Sequence, residues 1–509
     1  MFRTILSGAI HGIECKSVSV EADVSNGLPS FLMVGFLGSE VKEASERVRN
    51  ALRNSGIQLP AKRFTINLSP ADMRKSGTAF DLPIAAVLLA ALEEIPEESL
   101  KDVFMAGELS LNGRVNGVCG ILAMAVYARE RGMKYLVVPK ENAREAAIVS
   151  GIQVIGVEHL TQMIEFMKDK TSVVSEHINI EEIFQNSQKG LLDFGDICGQ
   201  ERAKRAVEIA AAGRHNILLT GAPGTGKSML AKRIPGILSP LTLEESIAIT
   251  KVHSIAGVLD KDNPLLTDRP FQQPHHTISP FALAGGGRNP KPGVISLAHR
   301  GVLFLDELPE FHRESLEILR QPLEDKEIHI SRVNGNYTFP AEIMLVAAMN
   351  PCKCGYYPDR NRCKCTPAEI NHYQSRISKP LLDRIDLYVE VEEVTYEKLS
   401  APRMKQGLQS EKMRKNIIRA GQVQAQRYEK KPYCFNSELD EMGLLEFCVL
   451  EEKEKKLMEK IFHKLKLSAR GYHRMLKVAR TIADLEGEER IHEHHLKEAV
   501  SYRRNTMME

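Results

Sequence analysis

Gly221-Ala-Pro-Gly-Thr-Gly-Lys-Ser228 decides how the rest of the chain is read. It follows the apolar run Ile217-Leu-Leu and precedes a helical pattern that starts at Met229. A strand, a glycine-rich loop and a helix therefore stand in that order. Backbone from Gly221 through Ala222, Pro223, Gly224, Thr225 and Gly226 can wrap closely around an anion, with its N–H groups forming a nest for phosphate oxygens. Lys227 is placed to reach β- and γ-phosphates, and the Ser228 hydroxyl to bind Mg²⁺. The competing reading is a chance glycine turn, which the strand and helix on either side argue against.

Moving outward, the apolar strand Gly301-Val-Leu-Phe-Leu ends in Asp306-Glu307. A carboxylate at the carboxyl end of a buried parallel strand faces the ligand edge of a sheet. Asp306 then suits the Mg²⁺ shell and Glu307 the orientation and polarisation of attacking water. Capping of the following helix is the alternative use of Asp306. A third strand, Met344-Leu-Val-Ala-Ala-Met, ends in Asn350, whose amide can bond a γ-phosphate or the water. Leu381-Leu-Asp-Arg-Ile-Asp386 presents Arg384 between apolar neighbours. Supplied to a neighbouring subunit, that guanidinium would stabilise charge on a transferred phosphoryl group. A surface pair with Asp383 or Asp386 is its plain alternative.

The 509 residues carry a net charge of +2, with 43% hydrophobic and 26% charged side chains. The length allows two to four domains, and the composition is that of an ordinary soluble globular protein, not a disordered or disulfide-stapled one. The alternation of strand and helix patterns makes it multidomain α/β. The longest apolar run, Leu82 to Leu92, is about half the ~20 residues a membrane helix needs, so no membrane partner is expected. Nine cysteines, an odd number and mostly scattered, fit a reducing cytoplasm. Residues 1–170 mix short strands with helices, among them an amphipathic pattern from Glu40 to Ser55. Residues 171–191 read as a polar linker, 192–396 as a domain around a parallel sheet, and 397–509 as all-helical.

These motifs resemble the AAA+ ATPases, in the branch that holds the magnesium-chelatase motor subunit. Gln273-Pro-His-His-Thr-Ile-Ser279, Gly285-Gly-Gly-Arg-Asn-Pro-Lys-Pro-Gly293 and Ser296 through Glu310 are similar to that branch's helix-2 insert and Walker B region. The whole chain resembles the YifB/ComM family of chelatase-like ATPases. That resemblance implies an ATP- and Mg²⁺-dependent hexameric motor driving branch migration on DNA, with a C-terminal α-helical lid. Ser468-Ala-Arg470 resembles the start of the lid helix, which assigns the sensor-2 arginine to Arg470, with Arg474 as competitor. A chelatase motor and an ATP-dependent remodelling scaffold are the alternative functions.

Asn67 through Pro83 and Ala106 through Gly120 resemble the Lon protease domain, of the ribosomal protein S5 domain 2-like fold. Lon chemistry needs a serine nucleophile and a lysine base. By motif those positions fall on Ala79 and Leu122, which can do neither, although Ser76 and Thr78 lie close by. The domain reads as an assembly or DNA-guiding platform, with Arg74 and Lys75 as candidates for guiding.

Cys352-Lys-Cys354 and Cys363-Lys-Cys365 offer four thiolates, enough for a closed tetrahedral Zn²⁺ site. Reduced thiols in a loop, or a disulfide, are the competing readings. Cys15, Cys119, Cys198, Cys434 and Cys448 read as isolated buried residues. His275 and His276 read as part of an extended segment, where adjacent side chains point to opposite faces. His492, His494 and His495 read as part of a solvated helix.

Two stretches could hold DNA. His329 through Phe339 alternates around Asn334-Gly335, a two-residue hairpin signal that would offer Arg332 and Asn336 to phosphates. Arg403 to Lys431 holds nine Lys/Arg against two Glu, either a basic face or a solvated helix. A charge of +2 argues against a basic groove on one chain, yet a ring multiplies a few phosphate contacts by its subunit number.

Overall fold

The computed structural model describes residues 1–186, 192–333, 335–394, 396 and 408–503. Period-two alternation shapes its beginning. Phe2–His11 and Glu14–Ser25 pair antiparallel, and Val18, Val20, Ala22 and Val24 all turn to one core. They belong to a seven-stranded mixed sheet ordered Ser30–Val34, Arg63–Ser69, Glu14–Ser25, Phe2–His11, Val103–Met105, Tyr135–Pro139, Gln153–Val157. The helix Asp81–Ala91 is buried along its whole length against that sheet, which is why its sequence is apolar all round. Among the described residues, no helix is long and apolar enough to cross a membrane.

The polar stretch after residue 170 carries a helix at Ile180–Asn186. Ile180, Ile183 and Phe184, spaced i, i+3, i+4, pack against the cluster around Ile121, Leu122 and Val154. Residues 187–191 lie outside the described residues.

The second sheet has five parallel strands ordered Phe271–Gln272, Val302–Leu305, Met344–Met349, Ile217–Thr220, Leu387–Glu390. Its residues alternate between two cores. Ile217, Leu219, Val302, Phe304, Val346 and Ala348 face one, while Leu218, Leu303, Leu305, Leu345 and Ala347 face the other. Burial on both faces makes these strands read as continuous apolar runs. Helices Leu408–Arg427, Glu441–Phe447, Glu452–Lys464, Ala469–Glu486 and Glu493–Ser501 follow. Met413, Ile417, Met475, Ala479, Ile482 and Leu496 join the first core, so the helical region and the sheet share one interior.

Polar contacts pin the parts. His215 Nε2 and Thr481 Oγ1 lie 2.8 Å apart, and Gly120 N–H donates to Ser254 Oγ at 3.1 Å across the first two regions. His11 stacks on Tyr337 with ring centroids 4.4 Å apart, which seats the hairpin Glu327–Arg332/Gly335–Pro340 against the first β-turn of the chain.

Candidate nucleotide site

The loops after the parallel strands gather at their carboxyl ends. Gly224 and Gly226 adopt φ of 79° and 92°, a left-handed region that other residues enter with strain, and the helix Lys227–Ile237 begins at once. Gly221 is required by crowding, since a Cβ there would meet Val391 O at 2.4 Å.

Lys227 Nζ donates to the carbonyls of Gly221 (2.6 Å) and Ala222 (2.9 Å) and to Asn350 Oδ1 (3.1 Å). Burial holds its ammonium below the ordinary lysine range, and the charges of Asp306 and Glu307 oppose that shift. Ser228 Oγ donates to Asp306 Oδ2 at 2.7 Å. Lys227, Ser228, Asp306 and Asn350 thus converge from three strands. A hydroxyl touching a carboxylate at the mouth of a phosphate nest is a donor set that fits Mg²⁺.

Glu307 sits at φ 53° with its side chain 57% exposed. A left-handed non-glycine residue costs on the order of 1–2 kcal/mol, and here it turns the carboxylate away from its own strand. Its Oε2 lies 3.6 Å from His276 Nδ1. His276 follows the edge strand Phe271–Gln272, beside the strand that carries Asp306. Its ring and that of His275 lie 4.1 Å apart, not on opposite faces, because residues 276–277 turn rather than extend. Sequence reading missed the contact with Glu307, since it depends on strand order.

Arg384 stands elsewhere. Ile217 pairs with Leu387 and Thr220 with Glu390, so Arg384 precedes the amino edge of the sheet while the phosphate loop leaves the carboxyl edge. At roughly 3.3 Å per residue the strand separates these edges by about 13 Å. Arg384 donates to Pro380 O (2.7 Å) and pairs with Glu324 (2.6 Å). Neither Asp383 nor Asp386 holds it: Asp383 lies 3.4 Å from Arg474, and Asp386 accepts from Asn216 N–H at 3.1 Å. Arg470 is exposed on the first turn of its helix. Arg474, one turn on, is buried and donates to Ile385 O at 2.9 Å, which ties it to the loop of Arg384.

In the cysteine loop Cys352 Sγ lies 3.3 Å from Cys354 Sγ and 3.7 Å from Cys363 Sγ, with Cys354 and Cys363 at 3.5 Å. Cys365 completes a set whose sulfurs all fall within 4.8 Å of one another. Cys15 and Cys448 are buried as expected, whereas Cys119 and Cys434 are exposed and Cys198 is half-buried; position in turns overrides the residue's usual preference.

Arg332 and Asn336 are both exposed on the hairpin. Arg332 pairs with Gly335, so Gly335 belongs to a strand and not to the turn; Asn334 lies outside the described residues. Of the basic stretch, residues 403–407 lie outside the described residues. Farther along, Arg414 donates to Gly236 O (2.7 Å), Arg419 to Leu485 O (2.8 Å), and Arg427 pairs with buried Asp484, so these cations tie the helix down. Lys75 is fully buried and its Nζ finds no hydrogen-bond acceptor among the described residues, which removes it as a DNA-guiding side chain. Ala79 and Leu122 share one apolar cluster with Phe104 and Ala106. His495 is fully buried and lies 3.1 Å from Glu486, not on a solvated face, because it caps the start of the last helix.

Comparison with known proteins places these features. Residues 193–399 match the family "Magnesium chelatase, subunit ChlI", residues 20–142 "Subunit ChlI of Mg-chelatase", and residues 407–503 "Magnesium chelatase, subunit ChlI C-terminal". Competence protein ComM of Haemophilus influenzae is 43% identical over 502 residues, covering 98% of this chain and 97% of that protein. YifB of Salmonella typhimurium is 42% identical over 97% of this chain and 95% of its own length. Lon protease 2 of Thermus thermophilus is 25% identical over 158 residues, 29% of this chain and 19% of that protein.

Proposed function

Because the chain belongs to the family of competence protein ComM and YifB, built with the domains of magnesium chelatase subunit ChlI, we propose that it is an ATP-hydrolysing AAA+ motor acting on DNA. The reading extends to a cytoplasmic hexameric ring that drives branch migration in natural transformation; of this, the name of the competence relative supports the link to competence.

The observation that carries the reading is the convergence of Lys227, Ser228, Asp306 and Asn350 on the glycine loop. Triphosphate oxygens are stronger acceptors than carbonyls, so Lys227 exchanges Gly221 O and Ala222 O for phosphate. Ser228 and Asp306 would hold Mg²⁺, which supplies neutralisation of phosphate charge. Glu307 takes the proton of the attacking water, and Asn350 orients that water or the γ-phosphate. Arg384, remote from its own loop, serves the site of a neighbouring subunit, and Arg474 or Arg470 joins it from the same edge.

Arg332 and Asn336 are the DNA contacts of this reading, few per chain and multiplied by assembly. At the N-terminal domain the positions of a Lon-type serine and lysine are held by Ala79 and Leu122, which lie in one apolar cluster and supply neither nucleophile nor base, so in this reading the domain serves assembly and not peptide hydrolysis. ATP turnover measured alone and with single-stranded, duplex and branched DNA tests the whole. Mg²⁺-dependent turnover stimulated by DNA is expected; turnover indifferent to every DNA form overturns the DNA half, and no turnover overturns the rest.

A further inference from the structure

We propose that Cys352, Cys354, Cys363 and Cys365 bind one Zn²⁺ ion, and that this metal fixes a wall of the nucleotide cavity. Four sulfurs bound to one zinc at about 2.3 Å sit about 3.8 Å apart along the edges of a tetrahedron. The sulfurs here stand 3.3, 3.5 and 3.7 Å apart, and all within 4.8 Å. None of the nine cysteines forms a disulfide. The backbone N–H groups of Tyr356, Cys365 and Cys354 point at the sulfurs of Cys354, Cys363 and Cys365, an outer shell that suits thiolates.

Apolar burial does little to hold the loop's shape. Its own cluster of buried residues is Cys352, Cys363 and Ile370, too small to order a segment that long by burial. Thiols are weak hydrogen-bond partners, so sulfurs facing one another gain little until a cation joins them. A closed set of four protein ligands leaves no open position, which makes the ion structural.

The consequence lies next door. Cys352 is two residues beyond Asn350, the acceptor of Lys227. Gly355, at φ +89°, rests so close to the phosphate loop that a Cβ would meet Pro223 Cδ at 2.5 Å. A cavity of about 730 Å³ is lined by Gly221 and Ala222 on one side and by Tyr356, Pro358 and Arg362 on the other. Arg362 lies over the Tyr356 ring at 4.0 Å and forks onto Glu393 at 2.6 and 2.8 Å, which carries the metal-ordered loop to the far wall. This second half rests on the nucleotide reading; the metal half does not.

The full chain, purified without chelator, decides both. Elemental analysis is expected to give about one zinc per chain, and Co²⁺ substitution the charge-transfer and visible bands of a tetrahedral thiolate site. Folded protein with no zinc, or a Co²⁺ spectrum of nitrogen and oxygen ligands, overturns the site. Removal of zinc by chelator is expected to weaken binding of a fluorescent ATP analogue about tenfold, equal to about 1.4 kcal/mol, with re-addition of Zn²⁺ restoring it. Gly355→Ala, which leaves every sulfur in place, is expected to keep its zinc and lose nucleotide affinity. Unchanged affinity in both cases overturns the coupling, and zinc-loaded wild type that binds no nucleotide overturns it through the nucleotide reading while the zinc count still stands.

Discussion

His276 Nδ1 lies 3.6 Å from Oε2 of Glu307, a histidine of the edge strand's loop meeting the carboxylate proposed to polarise water. The contact is at ion-pair distance and longer than a hydrogen bond, so it restrains Glu307 without consuming it. Glu307→Gln is expected to bind ATP normally and lower kcat by about 10²–10⁴-fold, the usual share of a general base. His276→Ala frees the carboxylate and is expected to change kcat while leaving nucleotide affinity unaltered. Equilibrium binding beside steady-state turnover separates the two effects; normal turnover of Glu307→Gln removes it as the base.

Arg384 is held by Glu324 and Pro380 O on the edge opposite its own phosphate loop. Arg384→Ala is therefore expected to lower turnover by about 10³–10⁵-fold. Mixing it with Lys227→Ala should recover part of the activity, since some interfaces then carry an intact loop and an intact arginine together. A mixture as inactive as its components would make Arg384 a structural residue.

The phosphate loop and the Asp306-Glu307 pair were legible because their chemistry is contiguous in the chain: an anion nest needs consecutive N–H groups, and a strand end needs only the apolar run before it. Asn350 was legible for the same reason. The partners were not. His276 reaches Glu307, and Glu324 reaches Arg384, only through a strand order in which residues 271, 302, 344, 217 and 387 follow one another. Spacing along the chain is silent about that order. The seat of Gly355 on Pro223 joins residues 132 positions apart, and the inward turn of Arg414, Arg419 and Arg427 depends on which face of their helix meets the core.

Glu145 gives a pH prediction. Its carboxylate accepts from Leu122 N–H (2.9 Å), Asn142 Nδ2 (3.1 Å) and the Ser254 hydroxyl, and so joins the N-terminal domain to the helix Leu243–Ala256. Burial pushes it above the ordinary value of 4.5, more than these bonds pull it down. A carboxyl raised in the folded state stabilises it fully below 4.5 and loses that contribution as pH rises through the folded value. Thermal stability is expected to fall over that rise, and Glu145→Gln, which does not titrate, to flatten the slope. An unchanged slope would assign it to another group.

Lys75 is buried with no acceptor for its ammonium among the described residues, and burial draws its pKa below 10.5. Methionine fills a similar volume with no charge to desolvate. Lys75→Met is expected to raise the melting temperature and leave DNA affinity intact. A loss of DNA binding with the fold preserved would place Lys75 on a DNA-facing surface.

Among the described residues, Arg332 on the hairpin makes two carbonyl contacts, both at 3.4 Å, to Gly287 and Ser331. So little holds the guanidinium that it is available to a phosphate. Each phosphate neutralised steepens the dependence of log affinity on log salt by about 0.9 on duplex and about 0.7 on single strands. Arg332→Ala is expected to make that slope shallower by at least this amount per engaged subunit, with equal loss on unrelated sequences. Its effect should grow under conditions that favour assembly, because a chain of net charge +2 has little long-range attraction of its own. A slope identical to wild type, measured across a salt series on the assembled protein, would place the DNA path away from this hairpin.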